Sequence, residues 1–182
     1  ICAVETEGEY LNCRVIGGGA PRGLCGSGLV DAVAVGLLQL KITPDGRMPH
    51  NISIPLAGPV LLHPQDVREL QLAKGAIAAG LRMLTGRFGA TVKDLQRVYL
   101  AGAFGNYINR VSAQRIGLLR MPLDRVVPAG NTALHGARRA LFSATPAIRR
   151  ATGASLAPRR GGNRQRPDRI SASSCRPVRN RC

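Results

Sequence analysis

The chain has 182 residues, 26 Lys and Arg against 10 Asp and Glu, a formal net charge of +16 and 45% apolar residues, a length that suits one domain or part of a larger one. No window approaches the roughly 18 uninterrupted apolar residues of a membrane span, because Asp31 breaks the run over 29–40. With no Trp, three Tyr and three Phe, the chain also has few aromatic platforms for stacking single-stranded nucleic acid.

In chain order, residues 1–4 and 10–16 read as a hairpin about Glu7 and Gly8, with Leu11, Cys13 and Val15 on one face of the second strand. The Gly-rich stretch 17–28 is a loop. Ser27 suits the N-cap of a helix over 28–40, whose apolar positions Leu29, Val30, Val33, Ala34, Leu37 and Leu38 form one broad face. A turn at Pro44, Asp45 and Gly46 leads to short extended runs at 52–56 and 60–62. Pro64 and Asp66 then open a long helix carried to about Thr85 by Val67, Leu70, Ala73, Ile77, Leu81 and Leu84. Thr91 and Asp94 form a capping box. Residues 97–101 read as a short buried strand running into a small-residue loop, GAFGN. A helix over 112–116, a strand over 125–127 and a helix over 131–142 follow. Strand, loop, helix, strand and helix in that order indicate an α/β layer with a parallel component.

The charge divides unevenly along the chain. Residues 144–182 hold ten Arg and one acid, Asp168, for +9, leaving +7 on the first 143; Leu, Ile, Val and Phe number 43 in the front part and 4 in the tail. So few core-formers cannot offset the entropy of ordering. The expected organisation is a globular segment over 1–143 and a basic, low-complexity, disordered tail over 144–182. Five cysteines, at 2, 13, 25, 175 and 182, form no C-x-x-C and no Cys/His cluster, which argues against a zinc ribbon, an iron–sulfur cluster held within this chain, or a secreted disulfide framework. A reducing, cytoplasmic setting is the default. The opening ICAVETEGEY has no initiator Met, basic region or apolar signal core, so the chain is expected to begin inside a domain.

Three local patterns carry chemistry. AGAFGN, 101–106, sits between a strand and a helix, where α/β sheets bind ligands and where small residues allow close backbone approach; Gly102 and Gly105 are equally accounted for by a tight turn. PAGN, 128–131, is a second strand-to-helix turn with Asn131 as a natural cap, and two such turns after adjacent strands would lie side by side and form a cleft. GLCGSG, 23–28, resembles an anion-cradling turn at a helix N-terminus, although no Lys follows it and no His lies near Cys25. On the long helix Gln71 and Lys74 share a face beside the apolar stripe, and Lys74 either extends over a cleft edge or stays solvated. His50, His63 and His135 are isolated and read as loop or cap residues.

The runs RGLCGSGLVDAVAVGLL, HPQDVRELQLAKGAIAAGLRMLTGRFG, RVYLAGAFGNYIN, RIGLLRMPLDRVVPAGN and HGARRALF closely resemble, in that order over about 10–142, the C-terminal part of the reductive activators of corrinoid proteins. The resemblance implies a nucleotide-binding region of the actin, sugar-kinase and heat-shock chaperone superfamily. Members of that family carry a 2Fe–2S ferredoxin-like domain in another part of the protein and use ATP and Mg²⁺ to return cob(II)amide to cob(I)amide. It implies that Gly102, Ala103, Phe104, Gly105 and Asn106 form the adenosine turn, that Gln71 and Lys74 face the nucleoside, and that Gly130 and Asn131 flank it. Neither Asp-Gly phosphate loop of the superfamily is matched here, and no cluster-binding cysteine set is present.

The expected fold is thus α/β, a partial actin-like (ribonuclease H-like) ATPase fold without its phosphate-loop strands. The expected function is the adenosine side of an ATP-dependent corrinoid-protein activator, inactive as an ATPase by itself, with no catalytic residue assigned and no metal site in this chain. The expected partner is a corrinoid protein; a homodimer is left open, and no membrane is involved. Alternatives are nucleic-acid binding through the Arg-rich tail and a non-catalytic interaction module of the same fold. The resemblance stops after Phe142, and the sequence beyond it has the composition of a GC-rich frame read out of register.

Overall fold

The computed structural model describes residues 1–142 apart from Glu9. The chain divides into two units, Ile1–Thr132 and Ala133–Cys182, the second described only as far as Phe142; the tail reading for 144–182 lies outside the described residues. In the first unit β1 (Ala3–Glu7) and β2 (Tyr10–Arg14) form an antiparallel hairpin with Val4 opposite Cys13 and Thr6 opposite Leu11. Leu11, Cys13 and Val15 pack half-buried on the core, as their alternation requires.

The helix after the Gly-rich loop, α1 (Gly26–Leu38), starts two residues before the expected position, with Cys25 rather than Ser27 at the N-cap. The reason lies outside the helix: the Ser27 hydroxyl donates to the Cys2 carbonyl, 25 residues away, at 2.8 Å, and Ser27 sits within the first turn rather than at its cap. Nor does α1 bury a single face. From Ser27 to Gly36 it is buried on nearly every side except at Leu29, because β1 packs on one side and α4 on another. It is the central helix of the unit.

A second antiparallel hairpin, β3 (Ile54–Ala57) with β4 (Val60–Leu62), leads into α2 (Pro64–Arg87). Asp66 accepts the His63 backbone N–H at 2.8 Å, closing the first turn. The apolar stripe of α2 is present but only its beginning is core. Val67 is 2% exposed and Leu70 half-buried, while Ile77 and Leu84 are 45% and 59% exposed. Periodicity identifies an apolar face; what covers it is set elsewhere.

The expected parallel component is present. β5 (Val98–Ala101) pairs in parallel with β6 (Val126–Gly130), from Val98 opposite Val126 to Ala101 opposite Gly130. Between them run α3 (Gly102–Tyr107) and α4 (Arg110–Arg115), the latter capped by Asn109, whose side chain accepts the N–H groups of Val111 and Ser112. Three expectations change here. GAFGN is the helix α3 rather than a loop, and most of PAGN belongs to β6. The strand expected to be buried alternates between half-buried and exposed positions, with Tyr99 59% exposed, because among the described strands β5 pairs only with β6. The Thr91 box forms as read, with Asp94 accepting both the N–H and the hydroxyl of Thr91 at 2.8 Å.

The architecture is mixed α/β, with three two-stranded sheets among the described residues gathered on a core whose least exposed large residues are Val30, Ile42, Leu62, Val67 and Val126. Of the second unit, α5 (Thr132–Phe142) places Leu134, Ala137 and Leu141 on one helical face by their spacing. No helix among the described residues is long and apolar enough to cross a membrane.

Candidate nucleotide-facing site

β5 ends at Ala101 and the chain turns at Gly102 with φ 87°; directly opposite, β6 ends at Gly130 with φ 64°. Both conformations lie in the left-handed region that favours glycine. The two turns therefore sit side by side at the carboxyl end of the parallel pair, the edge at which open α/β sheets bind ligands. Gly105 has a structural reason of its own: a Cβ there would come within 2.9 Å of the Leu100 carbonyl carbon, so glycine is what lets α3 lie against β5. Asn106 is exposed, and Asn131 stands immediately before α5.

Phe104 projects from α3 toward the start of α1. A Cβ on Gly26 would lie 3.1 Å from the Phe104 ring. Around this contact opens a cleft of about 710 Å³ lined by Phe104 and Tyr107, by Cys25 and Ser27 from the start of α1, and by Arg14 and Ile16 at the end of the first hairpin. Its size and its aromatic and aliphatic walls are those of small-molecule sites.

Gln71 and Lys74 are brought together, but elsewhere. Gln71 donates from Nε2 to the Asp45 carbonyl at 2.8 Å, and Lys74 donates from Nζ to the Ile116 carbonyl at 2.8 Å. The second contact satisfies a carbonyl at the C-terminal end of α4, where helices leave such groups unpaired. The cavity the two residues line, with Val33, Leu37 and Val67 among its walls, holds only about 50 Å³. That is too small for a nucleoside, and it shares no lining residue with the Phe104 cleft.

The GLCGSG loop is held by the residues before β1: Cys25 N–H donates to the Ile1 carbonyl at 3.0 Å. Burial works to raise the Cys25 thiol, but the Ser27 hydroxyl, 3.2 Å from Sγ, and the N–H groups of Gly28 and Ser27 outweigh it and hold the thiol below its ordinary value. Cys13 goes the other way, raised by burial. His63 is a cap residue, its Nδ1 2.7 Å from the Ser53 hydroxyl.

The described residues do not supply the thiolate set that an iron–sulfur cluster requires. Among the described residues no three His, Cys, Asp or Glu side chains gather as metal ligands, and Cys2, Cys13 and Cys25 are free thiols. For a nucleoside the fit is better, since the cleft beside AGAFGN has both room and aromatic walls. Sequence reasoning missed Arg14, Ile16 and Tyr107. Tyr107 lies three residues from Phe104, a spacing that puts both on one face of a helix; Arg14 and Ile16 have no local signal, because only the fold brings them there.

The profile described as "C-terminal domain of RACo the ASKHA domain" matches residues 1–152. The chain is 36% identical to the corrinoid activation enzyme RamQ of Eubacterium limosum over 77% of this chain and 28% of that protein. It is 32% identical to a "[Co(II) methylated amine-specific corrinoid protein] reductase" of Methanosarcina barkeri over 76% of this chain and 29% of that protein. The chain thus spans less than a third of the length of each of these relatives.

Proposed function

Since the chain belongs to the C-terminal ASKHA-domain family of corrinoid-protein reductive activators, we propose that it forms the adenosine side of the nucleotide site in an ATP-dependent activator that returns cob(II)amide to cob(I)amide on a corrinoid protein. The observation that carries this reading is the pair of glycine turns at the carboxyl end of β5 and β6, Gly102 after Ala101 and Gly130 opposite Ala101, together with Phe104 of the first turn, which lines the cleft although the two glycines do not.

Bound ATP would supply the free energy for an uphill electron transfer. The residues of this chain have a narrower task. Gly102, Ala103, Gly105 and Asn106 let the backbone approach the nucleoside, Phe104 offers a ring face to the base, and Gly130 and Asn131 bound the turn on its other side. Gln71 and Lys74 join them only if α2 gives up their present bonds to the Asp45 and Ile116 carbonyls. Phosphate, Mg²⁺ and the electron donor have no matching residues among those described, so no step of the reaction is assigned to this chain.

The reading is tested by assaying the 182-residue chain for ATP hydrolysis and for binding of a fluorescent adenine nucleotide. The expected outcome is no turnover and weak binding that diminishes in F104A. Turnover by the chain alone, or binding indifferent to Phe104, would overturn it.

A further inference from the structure

Asp31 stands in the middle of α1, 3% exposed, among fully buried neighbours such as Val30 and Ala34. Three elements meet at its carboxyl group. Oδ2 accepts the Val4 N–H of β1 at a long 3.4 Å, the nearby Ser112 hydroxyl of α4 favours the ionised form, and Oδ1 is buried with no partner. An ionised carboxylate offers about four lone-pair sites and a full charge, and here neither is met, since the ion pair found among the described residues joins Arg47 and Asp45.

The charges acting on the group come from the first hairpin: Glu5 on β1 opposes ionisation and Arg14 on β2 favours it. α4 presents the Ser112 hydroxyl. α2 meets α1 on the side of Val33 and Leu37 with Val67, Leu70 and Lys74, whose ammonium is taken by the Ile116 carbonyl. α3 contributes Phe104 against Gly26. A buried carboxyl with an orphan oxygen and no ion-pair partner is less costly with its proton on than off.

We propose that Asp31 is a proton-operated clasp: with its proton on, the neutral carboxyl stays buried between the first hairpin and α4, and ionisation, which this dry site does not solvate, favours opening of both to water. The hairpin carries Arg14 and leads to Ile16, and α1 carries Ser27, so the clasp governs the walls of the Phe104 cleft whatever that cleft binds. Burial holds the Asp31 carboxyl above the ordinary carboxylate range, with Glu5 adding to it and Ser112, Val4 and Arg14 opposing. A raised acid contributes stability that is present below its unfolded value, about pH 4, and is lost as pH rises through the folded value.

The test follows the side-chain carbons of the aspartates by NMR as pH is raised, together with hydrogen exchange at the Val4 amide and along α4, in wild type and D31N. The expected result is an Asp31 midpoint above about 4, the ordinary aspartate value, and exchange at Val4 that accelerates in wild type beyond the rise set by base catalysis but not in D31N. An Asp31 midpoint at or below that value, or equal acceleration in the two proteins, would overturn the proposal. Should D31N fail to fold, the wild-type data decide: acceleration at Val4 that follows the Asp31 titration supports the proposal, and acceleration independent of it overturns it.

Discussion

Cys25 and Cys13 place the same thiol in opposite settings. At Cys25 the opposing push of burial is outweighed by the Ser27 hydroxyl and the N–H groups that open α1, whereas at Cys13 burial prevails. Because the thiolate is the nucleophile, iodoacetamide at pH 7.5 is expected to label Cys25 faster than Cys13, as read by peptide mapping; equal rates would contradict the setting described for Cys25. At this scale the sequence was informative about glycine. The strand-to-helix pattern marks Gly102 and Gly105 as turn residues and the family resemblance adds Gly130; Gly102 and Gly130 adopt positive φ. It was uninformative about Ser27, whose type suits a cap but whose hydroxyl is drawn off by Cys2, a residue 25 positions away.

Among the elements, α2 shows how far pattern reasoning reaches. Its start at Pro64, its length and its apolar stripe were all legible, because proline, an acidic first turn and a 3.6-residue period are local signals. That Val67 is core while Ile77 and Leu84 are exposed was not, because burial belongs to the neighbour and not to the helix. Lys74 makes the same point, since one face of α2 supplies a donor for the last carbonyls of α4, 42 residues on. Replacing Lys74 by Met leaves the Ile116 carbonyl without that donor and is expected to cost roughly 1–3 kcal/mol of stability, measured by urea unfolding. An unchanged midpoint would show that the contact contributes nothing to folding and that Lys74 is free to serve a ligand.

For the whole molecule, the division of charge and core-formers along the chain predicts that the tail adds nothing to the fold. Residues 153–182 lie beyond the family match and contain only Leu156, Ile170 and Val178 from the Leu, Ile, Val and Phe set. Their removal is expected to leave the melting temperature within about 2 °C, and a larger fall would mean that the tail packs on the folded part. Local residue choice and spacing specify the parallel strand–helix–strand order and the strand-to-helix turns, and the long runs from Arg22 to Phe142 specify the family by resemblance. Only the tertiary structure decided that α1 is buried on nearly all sides, that Gln71 and Lys74 line a different cavity from Phe104, and that Arg14 and Ile16 join Phe104 and Tyr107 in one cleft. Those outcomes depend on which surfaces meet across tens of residues, and no short stretch of the chain encodes them.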